Sequence, residues 1–157
     1  MTCTAQYDSP LGLLSLTFDG DALAGLRFID NLEHIERLDN LDNPEPRRWL
    51  DLYFSGQRPD FLPPIRFVGT DFQKRVWQAL LGIPYGKTIS YGELARRIGC
   101  RSAQAVGQAV GKNPIAIFVP CHRIIGSDGS LTGYAYGIEK KRYLLQLESG
   151  HRLTVTG

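Results

Sequence analysis

The chain has 157 residues, of which 43% are hydrophobic and 10% aromatic, a composition typical of a folded protein rather than a disordered one. No stretch approaches the roughly 18 consecutive apolar residues that a membrane-spanning helix requires, and the N-terminus lacks the basic start and apolar core of a secretory signal. Three cysteines at unrelated spacings, Cys3, Cys100 and Cys121, fit neither a disulfide framework nor a zinc site. We therefore expect a cytoplasmic protein without a membrane segment or a metal.

Charge divides the chain into two unlike halves. Residues 1–70 carry six Arg and no Lys against eleven acidic residues, a net charge of −5, whereas residues 71–157 carry twelve basic residues against five acidic ones, a net charge of +7. Such a split suggests that the C-terminal half contacts a polyanion. A chance distribution over a solvated surface is the alternative, and charge alone does not decide between them.

The N-terminal half is predicted to begin with a β-meander. The β-prone runs "TAQYDS", "LGLLSLTF" and "LAGLRFI" are separated by the turn signals Ser9-Pro10 and "DGDA". The apolar spacing in "PEPRRWLDLYFSG" predicts a helix that ends at Gly56. The next segment, "QRPDFLPPIRFVG", holds three prolines and is predicted to link two domains.

From residue 70 onward the pattern becomes helical. The segment "DFQKRVWQALLGI" carries an apolar stripe at helical spacing, Ser90 and Glu93 form a capping-box signature for "SYGELARRIG", and Ser102 can cap "AQAVGQAVG". A strand-like apolar run then leads to Cys121. The turn "GSDGS", the loop "LTGYAYG" and a last helix, "IEKKRYLLQLES", complete the predicted domain.

The two helices between Ser90 and Gly111 are spaced like a helix-turn-helix. The outward face of the second helix carries glutamine and glycine instead of long base-reading side chains. A face this flat suits the minor groove, which is only about 6 Å wide. The candidate DNA contacts lie on this face or around it: Arg96, Arg97, Arg101, Ala103, Gln104, Gly107, Gln108 and Lys112.

The segment Pro120-Cys121-His122-Arg123 places a thiol beside an imidazole and a guanidinium. A neighbouring base or cation raises the fraction of reactive thiolate. In an extended segment adjacent side chains point to opposite faces, so a bond between Cys121 and His122 requires a bend or a bridging water. A buried structural cysteine is the commoner fate of a lone thiol, and these four residues alone leave both interpretations open.

Four segments in a fixed order resolve the choice. They are "GTDFQKRVWQALLGIPYGKTISYGELA", "QAVGQAVGKNP", "PCHRIIG" and "TGYAYGIEKKRYLLQLE", and together they resemble the O6-alkylguanine-DNA alkyltransferases (methylated-DNA–protein-cysteine methyltransferases). The resemblance covers residues 69–148 almost without a break, and "DSPLG" extends it weakly toward the N-terminus. It implies an α+β fold, with a ribonuclease-H-like domain at 1–69 and a helical domain at 70–157 that contains a winged-helix-like helix-turn-helix.

The resemblance also implies a DNA repair activity without a cofactor. The protein would bind double-stranded DNA containing O6-alkylguanine, flip the base through the minor groove and transfer the alkyl group irreversibly to its own cysteine, in a single turnover. O4-alkylthymine would be a second lesion. A monomer is expected, in the cytoplasm or on the nucleoid of a prokaryote, and cooperativity on DNA stays open.

Four residues match the family's catalytic positions. Cys121 matches the alkyl acceptor, and His122 matches the base that removes the thiol proton through a water. Glu148 matches the carboxylate that orients the imidazole. Tyr91 matches the tyrosine that donates a proton toward the leaving guanine and helps to turn the nucleotide out.

Further residues match the pocket. Asn113 matches the residue that ties the reading helix to the active-site loop, and Arg123 matches an arginine with a largely structural role. Backbone groups of the acceptor cysteine, Ile124 and Ala135 would hold the base edge, while Tyr134 would stack on the base.

The chemistry supports this assignment independently. Displacement at an sp³ carbon favours a soft nucleophile, which a thiolate supplies. The leaving guanine develops negative charge, so a positioned phenol is a useful proton donor. A stacked base is out of reach of any side chain, which requires flipping.

Two residues depart from the family's usual pattern. Gln104 stands where many members have an arginine that fills the gap left by the flipped base. Many members also have two glycines after the loop tyrosine and the small residue that follows it; Tyr136 replaces the first of these glycines and is expected to narrow the pocket.

Three other functions would account for parts of this sequence. A relative that only marks lesions would lack the acceptor, and Cys121 argues against it. A helix-turn-helix regulator predicts long base-reading side chains, which the glutamine and glycine face lacks. A Cys–His hydrolase predicts repeated turnover, which a single-use acceptor does not show.

Overall fold

The structure is a computed structural model that describes residues 2–30, 36–131 and 133–150. The chain forms two compact units, Met1–Phe67 with Pro114–Ala116, and Val68–Asn113 with Ile117–Gly157. No sequence signal marked the short excursion of residues 114–116 into the first unit. Among the described residues, no helix combines the length and apolar character needed to cross a membrane.

A four-stranded sheet forms most of the first unit. Its strands are β1 (Thr2–Ser9), β2 (Gly12–Asp19), β3 (Ala22–Ile29) and β4 (Glu36–Arg37), in the order β3-β2-β1-β4. The first three strands are antiparallel neighbours joined by short turns, as the meander prediction requires, and β4 pairs with β1 in parallel. A 3₁₀ turn, Leu38–Asn40, follows β4.

The apolar side of helix α1 (Glu45–Phe54) includes Trp49, Leu50 and Tyr53, which are all buried. Tyr7 of β1 stacks on Phe54 and donates a hydrogen bond to Asp51 over 2.6 Å. The free side of β3 is also occupied. Backbone hydrogen bonds join Leu23 to residues 64 and 66 and Leu26 to residues 114 and 116, so part of the predicted linker is held beside the sheet.

Four helices build the second unit: α2 (Asp71–Leu81), α3 (Tyr91–Arg97), α4 (Ala103–Gly111) and α5 (Ile138–Glu148). The predicted capping box at Ser90 is half formed: its hydroxyl accepts from the Glu93 amide, but the Glu93 carboxylate binds two arginines of its own helix. A complete capping box stands instead at Thr70, where the side chain of Gln73 returns the hydrogen bond to the cap.

The prediction of a strand leading to Cys121 is wrong. The apolar segment between α4 and Cys121 is a buried loop, in which Ile117 adopts a left-handed φ of 74°, uncommon for a β-branched residue. A 3₁₀ turn, Cys121–Arg123, follows, and then strand β6 (Ile124–Ile125) pairs in parallel with β5 (Ile89–Ser90). The active-site segment therefore bends where an extended chain would have separated its side chains.

Candidate active site

The 3₁₀ turn presents Cys121, His122 and Arg123 in consecutive positions, and all three are buried. Asn113, just beyond the end of α4, donates from Nδ2 to the Val119 carbonyl over 2.8 Å, and its side chain also hydrogen-bonds the Cys121 thiol. The amide thus fastens the end of α4 to the chain that enters the turn.

His122 is held by the last residue of α5. Its Nε2 lies 2.5 Å from Oε2 of Glu148, and neither side chain has more than 1% of its surface exposed. Burial would raise the pKa of the Glu148 carboxyl, but hydrogen bonds and charges from His122 and Arg123 outweigh it and hold that pKa well below its ordinary value. Glu148 is therefore an ionised acceptor in the interior.

The protonation state of His122 follows from the same contacts. Complete burial lowers the pKa of its imidazole, and the positive charges of Arg123 and Lys141 lower it further against the opposing attraction of Glu148. The neutral ring carries one hydrogen, and an ionised carboxylate can only accept, so that hydrogen is on Nε2. Nδ1 is then the basic nitrogen of the ring.

The thiol itself is protonated at rest. Burial raises the pKa of Cys121, and the hydrogen bond from Asn113 and the charge of Lys141 offset this only in part. A thiol in this state needs a base before it can act as a nucleophile. The chemistry of the turn thus depends on a proton acceptor, and His122 is adjacent in the chain.

Cys121 opens into a cavity of about 310 Å³, within the size range of small-molecule sites. The cavity is lined by the start of α3, the end of α4 and the loop before α5. Tyr91, Asn113, Cys121, Tyr134, Ala135 and Tyr136 contribute to its wall. Among the described residues, no group of three or more His, Cys, Asp or Glu side chains is placed to hold a metal ion.

Two aromatic rings line this cavity side by side. Tyr134 and Tyr136 pack edge to face with ring centroids 5.8 Å apart and an interplanar angle of 68°. The Tyr134 hydroxyl is buried and has no hydrogen-bond partner among the described residues, and its burial, with the nearby Cys121, raises the pKa of the phenol well above its usual value. The phenol of Tyr134 is thus uncharged, and its ring lies largely buried near the thiol.

Tyr91, the first residue of α3, also lines the cavity. A methyl group added at Gly107 of α4 would lie 3.6 Å from the Tyr91 ring, and one added at Gly133 would lie 3.9 Å from its hydroxyl. The ring therefore spans from α4 to the loop before α5, with its hydroxyl toward the cavity side of that loop.

Comparison with known proteins agrees with this arrangement. Residues 3–67 match the family described as "6-O-methylguanine DNA methyltransferase, ribonuclease-like domain", and residues 71–150 match "6-O-methylguanine DNA methyltransferase, DNA binding domain". The chain belongs to the 6-O-methylguanine DNA methyltransferase family.

Relatives within the family align over nearly the whole chain. A methylated-DNA–protein-cysteine methyltransferase of Mycobacterium tuberculosis is 49% identical over 148 residues, covering 90% of this chain and 88% of the relative. Its counterpart in Methanosarcina acetivorans is 45% identical over 150 residues, covering 92% and 96%. The structure of Mycobacterium tuberculosis OGT in complex with DNA superposes with a TM-score of 0.82 and 46% identity, over 94% and 92% of the two chains. The predicted family, fold class and enzyme class are confirmed.

The methyltransferase site gathers residues that are distant in the sequence. Cys121, His122 and Glu148 form one buried cluster with Asn113 against the thiol, and Tyr91 lines the cavity into which the thiol opens. Ile124 is buried in β6, and Ala135 lies exposed in the loop that carries Tyr134 and Tyr136.

The predicted DNA contacts lie on α3 and α4 or directly beside α4, and most of them are exposed. Arg96 and Arg97 both bind the carboxylate of Glu93, so their charges are partly compensated. Exposed ion pairs of this kind are weak and are screened by salt, so a phosphate can compete for the guanidinium groups. Gly107 is half-buried beside Tyr91. The remaining candidates are exposed: Arg101, Ala103, Gln104, Gln108 and Lys112.

Lys141 is the residue that sequence reasoning missed. Its side chain is fully buried in α5, its Nζ lies 3.5 Å from the Gly133 carbonyl, and burial lowers its pKa while the Cys121 sulfur opposes that shift. Within "EKKRYLL" it resembled one solvated charge among several. The available signal was its spacing, because Lys141, Leu144 and Glu148 lie on one face of the helix at intervals of three and four residues.

Proposed function

We propose that this methyltransferase repairs O6-alkylguanine in duplex DNA by transferring the alkyl group to Cys121 after the base has been flipped out through the minor groove. The observation that carries the proposal is the cluster itself: a buried thiol at the wall of a cavity, followed by a neutral imidazole whose orientation is fixed by an ionised carboxylate. The names of the relatives and the complex of one of them with DNA support the same reaction.

Proton transfer comes first in the mechanism. His122 Nδ1 accepts the proton of Cys121, directly or through a water, while Glu148 keeps Nε2 engaged and stabilises the imidazolium that forms. The positive charge of Lys141 lies close enough to the sulfur to favour its anionic form, so it stabilises the thiolate in an otherwise apolar site.

Alkyl transfer follows as a displacement at carbon. The thiolate forms the S–C bond, the C–O6 bond breaks, and its electron pair passes to the guanine, which Tyr91 protonates as it leaves. The product is a thioether without an ionisable proton, so the base that activated the thiol cannot regenerate it. The protein therefore acts once, and the same displacement would remove an alkyl group from O4 of thymine.

In this proposal the duplex binds the exposed surface of α3 and α4, and the damaged base leaves the stack to reach the thiol. A stacked base cannot enter a cavity of this kind, so the nucleotide has to rotate out of the duplex. The exposed side of α4 carries small and neutral residues that allow close approach to the minor groove, and the surrounding basic side chains would contact phosphates. We propose a monomer for this step, acting in the cytoplasm or on a nucleoid.

The decisive experiment follows labelled alkyl groups. The protein is incubated with an excess of duplex DNA that carries O6-[³H]methylguanine, and the label on the protein is located by peptide mapping. One label per chain, on the peptide that contains Cys121, is expected. Repeated turnover with release of methanol would favour a Cys–His hydrolase instead, and label on another residue would remove the acceptor assignment.

Tyr136→Gly is expected to speed reaction with benzyl adducts at least about tenfold more than reaction with methyl adducts, since small differences in pocket size change selectivity by roughly 10–200-fold. The ring lines the cavity and packs on Tyr134, so its removal creates room for a bulky group. Single-turnover rates with free O6-methylguanine and O6-benzylguanine measure this. Tyr136→Phe, which keeps the ring, should retain the wild-type ratio, and an equal effect of the glycine variant on both substrates would contradict the placement.

Gln104→Arg is expected to increase the salt dependence of DNA binding by about 0.9 in log–log slope, since one more phosphate is neutralised. It should also speed capture of the lesion in duplex DNA without changing attack on the free base, because residue 104 would occupy the space left by the flipped guanine. Gln108→Arg adds the same charge on the same exposed helix. Equal acceleration of duplex repair by both variants would contradict a specific role for residue 104.

A further inference from the structure

The carboxylate of Glu148 is shared between His122 and Arg123. Its Oε2 accepts from His122 Nε2 over 2.5 Å and from Arg123 Nη2 over 3.0 Å, and its Oε1 accepts from Arg123 Nε over 2.7 Å and from the Gly86 amide over 3.3 Å. The arginine thus makes the two-point contact that a planar guanidinium makes with a carboxylate. The histidine therefore hydrogen-bonds a carboxylate whose negative charge is already paired with the arginine.

Arg123 is itself fixed in place. Its remaining Nη1 donates to the Ile83 carbonyl over 2.7 Å, the Tyr85 ring lies 5.6 Å from its Cζ, and only 10% of the side chain is exposed. Every nitrogen of the guanidinium therefore has an acceptor in the interior. A positive charge held in this way cannot move aside when the charge of His122 changes.

The charged and titratable groups around His122 then divide by sign. Glu148 of α5 is negative, Arg123 of the same turn and Lys141 of α5 are positive, and the Cys121 thiol is neutral at rest. With Glu148 alone, a buried carboxylate in contact with the ring would stabilise the imidazolium. An imidazolium cannot accept the thiol proton, so the proposed mechanism would stop at its first step.

We infer that Arg123 is a positioning residue for proton transfer, which keeps His122 uncharged by neutralising the Glu148 carboxylate that orients the ring. This goes beyond the structural role expected for it, because the contribution is electrostatic and acts through another residue. The inference rests on the proposed function for its consequence, but the charge of His122 can be measured without any alkyl transfer.

The test is the pH at which the His122 ring gains its proton, followed by ¹⁵N NMR of the ring nitrogens. The chain has three histidines, so the spectrum is simple and His122→Gln identifies the signal. Arg123→Met is expected to raise that pH by about 1 unit or more, since one neighbouring charge shifts a buried group by roughly 1–3 units. Arg123→Lys keeps the charge and should stay closer to wild type.

A kinetic measurement accompanies it. In Arg123→Met the acid limb of the single-turnover rate should move to higher pH by the same amount, with recovery toward the wild-type rate at alkaline pH. A structural role alone would lower the rate at every pH. If His122 titrates as predicted but no label reaches Cys121 in any variant, the proposed function fails while the inference about Arg123 stands.

A second comparison covers the case in which Arg123→Met does not fold. Arg123→Gln also removes the positive charge, but its amide can still donate a hydrogen bond to the Glu148 carboxylate, so the carboxylate need not be left unpaired. The His122 ring should be protonated at higher pH in Arg123→Gln than in wild type. An unchanged or lower protonation pH in either charge-removing variant would overturn the inference.

Discussion

Cys121→Ala is expected to abolish alkyl transfer completely while leaving DNA binding intact. The methyl side chain of alanine has no atom that can accept an alkyl group, and Cys121 is buried at the wall of the cavity, away from the exposed side of α4. Cys121→Ser should be equally inactive, because a hydroxyl remains protonated beside a neutral imidazole and its oxygen is a harder, poorer nucleophile for carbon than a thiolate.

Label transfer and binding are measured on the same preparations. Labelled O6-methylguanine duplex gives the transferred alkyl group, and a mobility shift at fixed salt gives the affinity. Cys100→Ala is the matched control, since Cys100 is a free, half-buried thiol in the loop between α3 and α4. The Cys100→Ala protein should accept one alkyl group per chain, as the wild type does. Any stoichiometric transfer by Cys121→Ala would end the acceptor assignment.

Local signals in the sequence were sufficient to predict the helices and the meander. Ser90 and Ser102 cap helices as their residue types predict, and three positions of the predicted apolar stripe of α2, Val76, Trp77 and Leu80, are buried. These patterns report contacts within a few residues. They predict an element's existence well because capping and amphipathicity are local properties.

The segment before Cys121 could not be predicted in the same way. An apolar run is compatible with a buried strand and with a buried loop, since both remove the side chains from water. Its conformation depends on contacts that a local pattern does not show. The Asn113 side chain binds the Val119 carbonyl, and β6 pairs with β5, more than thirty residues earlier in the chain. The left-handed Ile117 carries no glycine or asparagine signal that would have marked a turn.

The composition of the active site shows the same limit. His122 and Glu148 are 26 residues apart, and only the family resemblance joined them before the structure did. Lys141 and the full set of Arg123 contacts were not foreseen, because a basic residue in a charged helix or turn is usually solvated. Burial, which determines whether a charge acts on its neighbours, is a tertiary property that the sequence does not display.

Glu148→Ala is expected to lower the free energy of unfolding at neutral pH by about 3–5 kcal/mol, the usual effect of removing one partner from a buried ion pair. The loss follows from the geometry, because Arg123 would keep its charge in the interior with only the Ile83 carbonyl among its present acceptors. Urea denaturation measures the difference. Glu139→Ala is the matched control on the same helix, since its ion pair with Arg142 is exposed, and it should change stability little.

The stabilisation by Glu148 should also depend on pH. The pKa of its carboxyl lies below the ordinary value of 4.5 in the folded protein, so the native state binds fewer protons than the unfolded chain in the range between the two values. The contribution is therefore fully present above about pH 4.5 and declines as the pH falls below it. The difference between wild type and Glu148→Ala should narrow when the denaturation is repeated in acid. If Glu148→Ala were no less stable than Glu139→Ala at neutral pH, the carboxylate would not be the ion-pair partner on which both the orientation of His122 and the inferred role of Arg123 depend.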